Sequence, residues 1–285
     1  MQRFEPAGTI VDDLGADVEC RQLPGRYPLL TSGMPRGSRP RSNAVIRHDA
    51  RPFPGENTKP PQPVGETVRI VCLHTADSNI ALFDAAARAA GFEALELTHV
   101  VRADLLAAAE QAGGLTEAIA SQTREVLLTL KDNAHAVLLN CSTLGPSVND
   151  ALAAQAAPVP ILRADAALAQ RAVENGGKVV VLCTVSTTLE PTTRVFAQAA
   201  AHTTAEVEVQ LVSGAWDRFR ADDTAGYLSM IATAADAAYE NGADVVAFAQ
   251  TSMAGAAYLV KSGAKPFTTP TIALAAAVHA ATLAA

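Results

Sequence analysis

The amino-acid sequence predicts an α/β protein made of two similar parallel-sheet α/β halves, related by pseudo-twofold symmetry, with a site in the cleft between them. From Val68 onward, strand-like segments alternate with helix-like segments, and most of the strand-like segments are continuously apolar. Such strands are typical of a parallel sheet that helices cover on both faces. The halves also repeat, because RIVCLHT (69–75) aligns with KVVVLCT (178–184) and VLLNCST (137–143) aligns with VAFAQTS (246–252), both at an offset of 109 residues.

The predicted elements follow from apolar periodicity and from the residues that begin and end helices. Ser78 is expected to cap the first helix, and Gly91 follows the end of that helix. The predicted strands are VRIVCLH (68–74), FEALELTHV (92–100), HAVLLNC (135–141), VPILRA (159–164), KVVVLCT (178–184), AEVEVQLV (205–212), DVVAFAQ (244–250) and TPTIAL (269–274). Helices are predicted at 79–90, from 103, from 115, at 148–156, at 165–175, from 190, across 216–241, near 254–262 and in the Ala-rich end of the chain.

Three regions are predicted along the chain. Residues 1–66 hold 10 of the 16 prolines and 9 of the 22 basic residues, without a sustained helical or strand period. They are expected to form an irregular or disordered arm. The alternatives are a basic arm that recruits a partner, or sequence that lies upstream of the true start of the protein. The first α/β half is expected to comprise residues 67–163 plus 270–285, and the second half residues 164–269.

Composition and charge exclude several classes of protein. The net charge of −7 is opposite to the basic surface that nucleic acid requires, and no apolar run long enough for a membrane span occurs. The four cysteines show neither a CxxC pair nor metal-ligand spacing. No Gly-rich phosphate loop or nucleotide fingerprint occurs, so no metal and no cofactor are predicted. No secretory signal opens the sequence, so a cytoplasmic location with reduced thiols is expected.

Polar residues follow four of the predicted strands. In open parallel sheets, ligands bind beyond the carboxyl ends of the strands, so these residues are expected to surround one cleft. Hydroxyls, amides and helix-start N–H groups bind carboxylates well, which predicts a small carboxylate-bearing substrate. The candidate substrate-binding residues are Thr75, Asp77, Ser78, Asn140, Ser142, Thr143, Thr184, Ser186, Thr187, Gln250, Thr251 and Ser252.

Cys141 is the candidate acid/base, because it stands at the end of an apolar strand between an amide and two hydroxyls. A thiol has an ordinary pKa of about 8.5, and the helix start after Pro146 supplies a positive dipole end nearby. The alternative is an inert buried thiol. His74 and Cys183 also end strands, and each is a candidate for a second acid/base.

The chain from Val68 to its end resembles the aspartate/glutamate/hydantoin racemase superfamily. Cys141-Ser142-Thr143 is similar to the first family motif, a Cys followed by Asn and Thr, and Asp77-Ser78 is similar to the end of the family's first strand. GAWDRFRADD (214–223) resembles a Gly-Ala-aromatic segment of many members. The resemblance implies two α/β halves that each present a cysteine, with proton transfer at the carbon α to a carboxylate. Homodimers are common among proteins that resemble this one.

The second family motif, a Cys followed by Thr, is replaced here by Gln250-Thr251-Ser252. The function that the resemblance implies first is a cofactor-independent racemase or isomerase of a small amino acid or related substrate, which would use His74 or Cys183 as the partner of Cys141. The resemblance also admits a cofactor-free decarboxylase of the arylmalonate type, which uses a single cysteine. The third alternative is a non-catalytic carboxylate-binding protein that has kept the cleft.

Overall fold

A computed structural model of the protein describes residues 67–92 and 94–284, so the predicted arm at 1–66 lies outside the described residues. The strands are β1 (Val68–His74), β2 (Leu95–Val101), β3 (Ala136–Asn140), β4 (Ile161–Arg163), β5 (Gly177–Cys183), β6 (Ala205–Leu211), β7 (Val245–Phe248) and β8 (Phe267–Thr268). The α-helices are α1 (Ser78–Ala89), α2 (Ala103–Gln111), α3 (Glu117–Leu130), α4 (Asp150–Ala156), α5 (Ala164–Val173), α6 (Leu189–Ala200), α7 (Ala215–Arg220), α8 (Thr224–Glu240) and α9 (Thr269–Ala284). Short 3₁₀ helices occupy Lys131–Asn133, Gly145–Ser147, Ser186–Thr188 and Thr251–Tyr258.

The strands form two four-stranded sheets with the same order. The first sheet runs β2-β1-β3-β4 and the second β6-β5-β7-β8. Every neighbouring pair of strands in these sheets is parallel. The predicted fold class of two similar parallel-sheet halves is therefore confirmed.

The sequence repeat is also a repeat of strand register. Ile70 pairs with Ala136 in the first sheet, and Val179 pairs with Val245 in the second. Both positions in the second pair lie 109 residues after their counterparts, which is the offset of the sequence repeat. The same offset makes Cys141 and Gln250 equivalent positions, each just beyond the central strand β3 or β7.

Side chains alternate between the two faces of each central strand, and helices cover both faces. Ile70 and Cys72 of β1 pack with α1 and α9, whereas Val71 and Leu73 pack with α2, α3 and α4. In the second sheet, one face packs against α8 and the other against α5 and α6. This coverage explains why most of the strand segments in the sequence are apolar without alternation.

Two helices pack away from the sheet that they follow in the chain. Helix α5 follows β4 of the first sheet, yet Leu168, Ala169 and Ala172 pack on the second sheet. Helix α9 follows β8 of the second sheet, yet its apolar residues pack on β1 and β3 of the first sheet. The two helices also contact each other.

Three local predictions are wrong. Residues 269–274 begin helix α9 rather than form a strand, because Pro270 is well tolerated in the first turn of a helix. Ser78 is the first residue of α1 and does not cap it, since Asp77 already has helical backbone angles and no side-chain cap is formed. The helix predicted near 254–262 is a 3₁₀ helix that begins earlier, at Thr251.

No helix in the described part of the chain is both long enough and apolar enough to cross a membrane.

Candidate active site

The carboxyl ends of β3 and β7 meet at a hydrogen bond between the two halves. Strand β3 ends at Asn140, and Thr251 begins the 3₁₀ helix that follows β7. The Thr251 hydroxyl donates to Oδ1 of Asn140 at 3.0 Å, and both residues are buried. Because Cys141 follows Asn140 and Gln250 precedes Thr251, this bond brings the two equivalent residues to one junction. We call the four residues Asn140, Cys141, Gln250 and Thr251 the strand-end junction.

Three hydrogen-bond donors surround the thiol of Cys141, which is only partly buried as a residue. They are the Thr75 hydroxyl and the backbone N–H groups of Leu144 and Thr143. Burial raises the pKa of the Cys141 thiol, these donors lower it, and the net result is a pKa above the ordinary value. At neutral pH the group is therefore a thiol, and the donors stabilise the thiolate that forms when the thiol gives up its proton.

Gln250 is held by a threonine that is equivalent to Thr75. Its Oε1 accepts hydrogen bonds from the backbone N–H of Thr184 at 2.6 Å and from the Thr184 hydroxyl at 2.8 Å. An N–H group can only donate, so this contact identifies the amide oxygen without ambiguity. The other end of the amide, Nε2, has no hydrogen-bond partner among the described residues. The site thus holds a fixed neutral donor at the position equivalent to the thiol.

Tyr227 is a buried residue at this site that the sequence analysis missed. Its hydroxyl lies 2.8 Å from the Ser252 hydroxyl and 3.4 Å from the Thr184 hydroxyl. Burial raises the pKa of Tyr227, so the phenol is neutral at physiological pH. Tyr227 thus contacts the second half of the site from α8. The sequence of α8 predicts an apolar helix and does not indicate this role.

His74 lies in a chain of hydrogen bonds that also passes through Asn140. The amide Nδ2 of Asn140 donates to Nδ1 of His74 at 3.1 Å, and Nε2 of His74 lies 2.9 Å from Nδ1 of His99. Nε2 of His99 lies 3.2 Å from a carboxylate oxygen of Asp84. Burial, followed by the neighbouring His99, lowers the pKa of His74 to about 4. His74 is completely buried, and sequence reasoning found neither His99 nor Asp84.

A cluster of side chains of the kind that bind metals is formed by Cys72, His74 and His99. One potential ligand atom from each residue lies within 4.8 Å of those of the other two. The two imidazole nitrogens lie only 2.9 Å apart. Two nitrogen ligands of a tetrahedral zinc ion stand about 3.3 Å apart. Because the two rings are already joined by a hydrogen bond, the arrangement fits an imidazole pair better than a metal centre.

Cys183 is completely buried at the end of β5. Its Sγ donates to the carbonyl oxygen of Gln210 at 3.6 Å, and burial raises the pKa of the Cys183 thiol to about 11. Neither Cys183 nor His74 has solvent-exposed surface. The structure therefore brings Cys141 to the strand-end junction as a partly exposed residue and keeps the other two candidates in the interior.

The remaining candidate residues divide into two groups. The hydrogen bonds described above involve five of them, namely Asn140, Thr75, Thr184, Thr251 and Ser252. In the turn after Cys141, Ser142 and Thr143 are half-buried. Asp77, Ser78, Ser186 and Thr187 are exposed at the starts of helices. Across residues 67–92 and 94–284, no hydrogen bond links this exposed group to Cys141 or Gln250.

A charged pair beside the Cys141 turn was also missed. The Arg163 guanidinium donates to both carboxylate oxygens of Asp165, at 3.0 and 2.8 Å, and both side chains are largely buried. A Cβ at Gly145 would meet the guanidinium at 2.6 to 2.7 Å, so Arg163 packs closely on the turn that holds the thiol. The sequence feature that could have indicated Arg163 is its position at the carboxyl end of a predicted strand, where ligands bind in parallel sheets.

Replacing His74 by Gln should reduce the loss of stability at acidic pH. The unfolded chain binds a proton on His74 below about pH 6.5, but the folded chain does so only below about 4. Stability from this group is therefore complete above the first value and is lost as pH falls through the window between them, by an amount on the order of 3 kcal/mol. Urea unfolding of wild type, His74→Gln and the exposed-site control His202→Gln across this window measures the effect. The prediction would be contradicted if the free energy of unfolding fell equally steeply with decreasing pH in all three proteins.

The sequence profile described as Asp/Glu/Hydantoin racemase matches residues 81–278. The chain belongs to the Asp/Glu/hydantoin racemase family. No curated protein sequence gives a significant match. The resemblance that the Cys141 motif indicated is thus confirmed at the level of the family.

Solved structures of racemases share the fold of this family member. Allantoin racemase from Pseudomonas fluorescens is 17% identical, with 76% of this chain and 90% of that chain covered and a TM-score of 0.53. An aspartate racemase homologue from Pyrococcus horikoshii is 16% identical, with 75% and 99% covered and a TM-score of 0.56. Glutamate racemase RacE1 from Bacillus anthracis is 12% identical, with 76% and 82% covered and a TM-score of 0.50. At these identities the likeness establishes the two-domain racemase fold.

Proposed function

We propose that the protein is a cofactor-independent enzyme that protonates one face of the carbon α to a carboxylate in a small substrate. The observation that carries this proposal is the pairing of Cys141 with Gln250 at equivalent positions of the two halves. Only one of these side chains can exchange a proton near neutral pH, because an amide can only donate and accept hydrogen bonds. The site is therefore one-sided in its acid/base chemistry.

Cys141 is the acid in this proposal. Its raised pKa keeps the proton on the sulfur at neutral pH, which suits donation to a carbanion or enolate. The Thr75 hydroxyl and two backbone N–H groups then stabilise the thiolate without any rearrangement. Solvent returns the proton to the thiolate before the next turnover.

Gln250 is the neutral counterpart that binds developing negative charge. Thr184 fixes the amide oxygen, so Nε2 is the end available for an oxygen of the substrate. A donor held in this way favours the enolate over the ground state, because charge grows on the carboxylate oxygens as the enolate forms.

Decarboxylation of a malonate-type diacid is the complete reaction that such a site supports best. The electrons of the breaking C–C bond pass into the enolate of the remaining carboxylate, and CO2 leaves. The Cys141 thiol then adds its proton to the α carbon on one face. No base is needed to start this sequence, which agrees with the protonated state of the thiol.

Racemisation is the second candidate, favoured by family membership and by the racemases with this fold. It needs an acid/base on each face of the substrate. His74 and Cys183 are the residues that the sequence offers for the second face, and both are fully buried. This argues for the one-sided reaction as the first choice.

NMR in D2O with a panel of amino acids, hydantoins, maleate and substituted malonates tests the proposal. Release of CO2 from a malonate, with one enantiotopic position of the product deuterated, is the expected result. Inversion of an amino acid or a hydantoin establishes racemisation instead. Ligand-induced stabilisation without turnover of any compound overturns both enzymatic candidates and leaves a carboxylate-binding protein.

A further inference from the structure

The hydrogen-bond chain through His74 has a direction that a single carboxylate determines. An ionised carboxylate only accepts, so Nε2 of His99 carries the hydrogen in the contact with Asp84. An imidazole that carries its one hydrogen on Nε2 has its other nitrogen, Nδ1, as an acceptor, and Nδ1 of His99 faces Nε2 of His74. Nε2 of His74 must therefore donate, which leaves Nδ1 of His74 as an acceptor for Asn140.

The same logic continues to the strand-end junction. Because Nδ1 of His74 accepts, Asn140 must turn its NH2 group toward His74 and its carbonyl oxygen toward Thr251. The Thr251 hydroxyl then donates to that oxygen, and this hydrogen bond joins the two halves. Each link has one donor and one acceptor, and the chain runs without a break from α1 to the residue beside Gln250.

The donor and acceptor order of these hydrogen bonds is enforced by the burial of most of the groups that form them. His74 is fully buried, Asn140 and Thr251 are nearly so, and the His99 side chain is 11% exposed, whereas the Asp84 side chain is 40% exposed. In a poorly solvated interior, a reversed or unmade hydrogen bond leaves a polar group without a partner and costs about 1 to 3 kcal/mol. The exposed carboxylate at one end therefore fixes the orientation of the buried amide at the other.

We propose that Asp84, His99 and His74 are positioning residues that set the orientation of the Asn140 amide and so hold the strand ends bearing Cys141 and Gln250 in register. Asp84 acts through the two imidazoles and touches no substrate. This proposal rests on the proposed function of Cys141 and Gln250. It adds a residue on the surface of α1, outside the site itself, on which the geometry of that site depends.

The test uses Asp84→Asn, which keeps the size of the side chain but can donate as well as accept. The matched control is Asp217→Asn, which removes one carboxylate from an exposed ion pair with Arg220 on α7. Nitrogen-15 NMR of the imidazoles reads the tautomers of His74 and His99 directly. The rate of Cys141 alkylation as a function of pH, followed on the Cys141 peptide by mass spectrometry, reads the thiol without any substrate.

In the wild type and the control, both imidazoles are expected to carry hydrogen on Nε2 and none on Nδ1. Asp84→Asn is expected to give a second tautomer population, to shift the pH profile of Cys141 alkylation, and to lower kcat/KM by about tenfold to a hundredfold through misplacement of the strand ends. Asp84→Glu should restore the wild-type tautomers. Hydrogen on Nδ1 of either ring in the wild type, or an alkylation profile unchanged in Asp84→Asn, overturns the proposal. Because the tautomer and alkylation measurements need no substrate, they decide it even where the proposed reaction is not found.

Discussion

Replacement of Cys141 by Ala is expected to lower turnover by about a hundredfold to ten-thousandfold, which is the usual contribution of general acid catalysis by one positioned group. The loss should fall on kcat rather than on KM, since Gln250, the proposed donor to the substrate carboxylate, remains in place. Cys141→Ser should be similarly inactive, because a hydroxyl is a far weaker acid than a thiol. The measurement is the rate of product formation by NMR in D2O for each variant.

Cys183→Ala is the comparison that shows whether Cys141 or Cys183 is the acid/base. Cys183 is fully buried at the end of β5, so its removal is expected to affect the free energy of unfolding and leave turnover close to wild type. Undiminished turnover in Cys141→Ala would overturn the assignment of Cys141. A large loss confined to Cys183→Ala would move the acid/base role to the second half.

Replacement of Gln250 by Cys is expected to create a new activity. The register places Gln250 at the position equivalent to Cys141, so the new thiol would face the opposite side of a substrate held between the halves. A second acid/base on that face permits protonation from both sides, and the chiral product should then racemise at least about tenfold faster than with wild type. Chiral chromatography of the product after long incubation measures this change.

Gln250→Ala is the control for that experiment. It removes the amide donor without supplying a proton donor, so turnover should fall by about 10² to 10³, the usual effect of losing one donor to a developing oxyanion, with no racemisation. Racemisation in Gln250→Ala equal to that in Gln250→Cys would show that the second proton comes from elsewhere. Wild-type turnover in Gln250→Ala would remove the amide from the proposed mechanism.

The fold was readable from the sequence because its determinants are local and repeated. Continuous apolar strands, regular alternation with helices and a constant offset each depend on neighbours along the chain. Cys141 and Gln250 could be proposed as site residues for the same reason, since both follow a strand whose end can be recognised. Residues 269–274 were misassigned because a short apolar run fits a strand and a buried helix equally well until tertiary contacts decide.

Other parts of the site could not be predicted because they depend on contacts between distant segments. Tyr227 and Asp84 stand in the middle of helices, where nothing in the sequence distinguishes them from packing or surface residues. His99 faces His74 only because β1 and β2 pair in the register that opposes Cys72 to His99. The direction of the hydrogen-bond chain emerges only when all of its members are in place.

The crossed packing of α5 and α9 has a consequence for how the protein moves and folds. The chain passes from the first sheet to the second between β4 and α5 and returns between β8 and α9, so two connections join the halves. A hinge motion between the halves would turn at these two connections and slide α5 along α9, because the two helices contact each other. A chain severed between β4 and α5 would leave the first sheet without α9, which covers one of its faces, so the first fragment should not fold alone. The second fragment keeps α5, α6 and α8, which cover both faces of the second sheet.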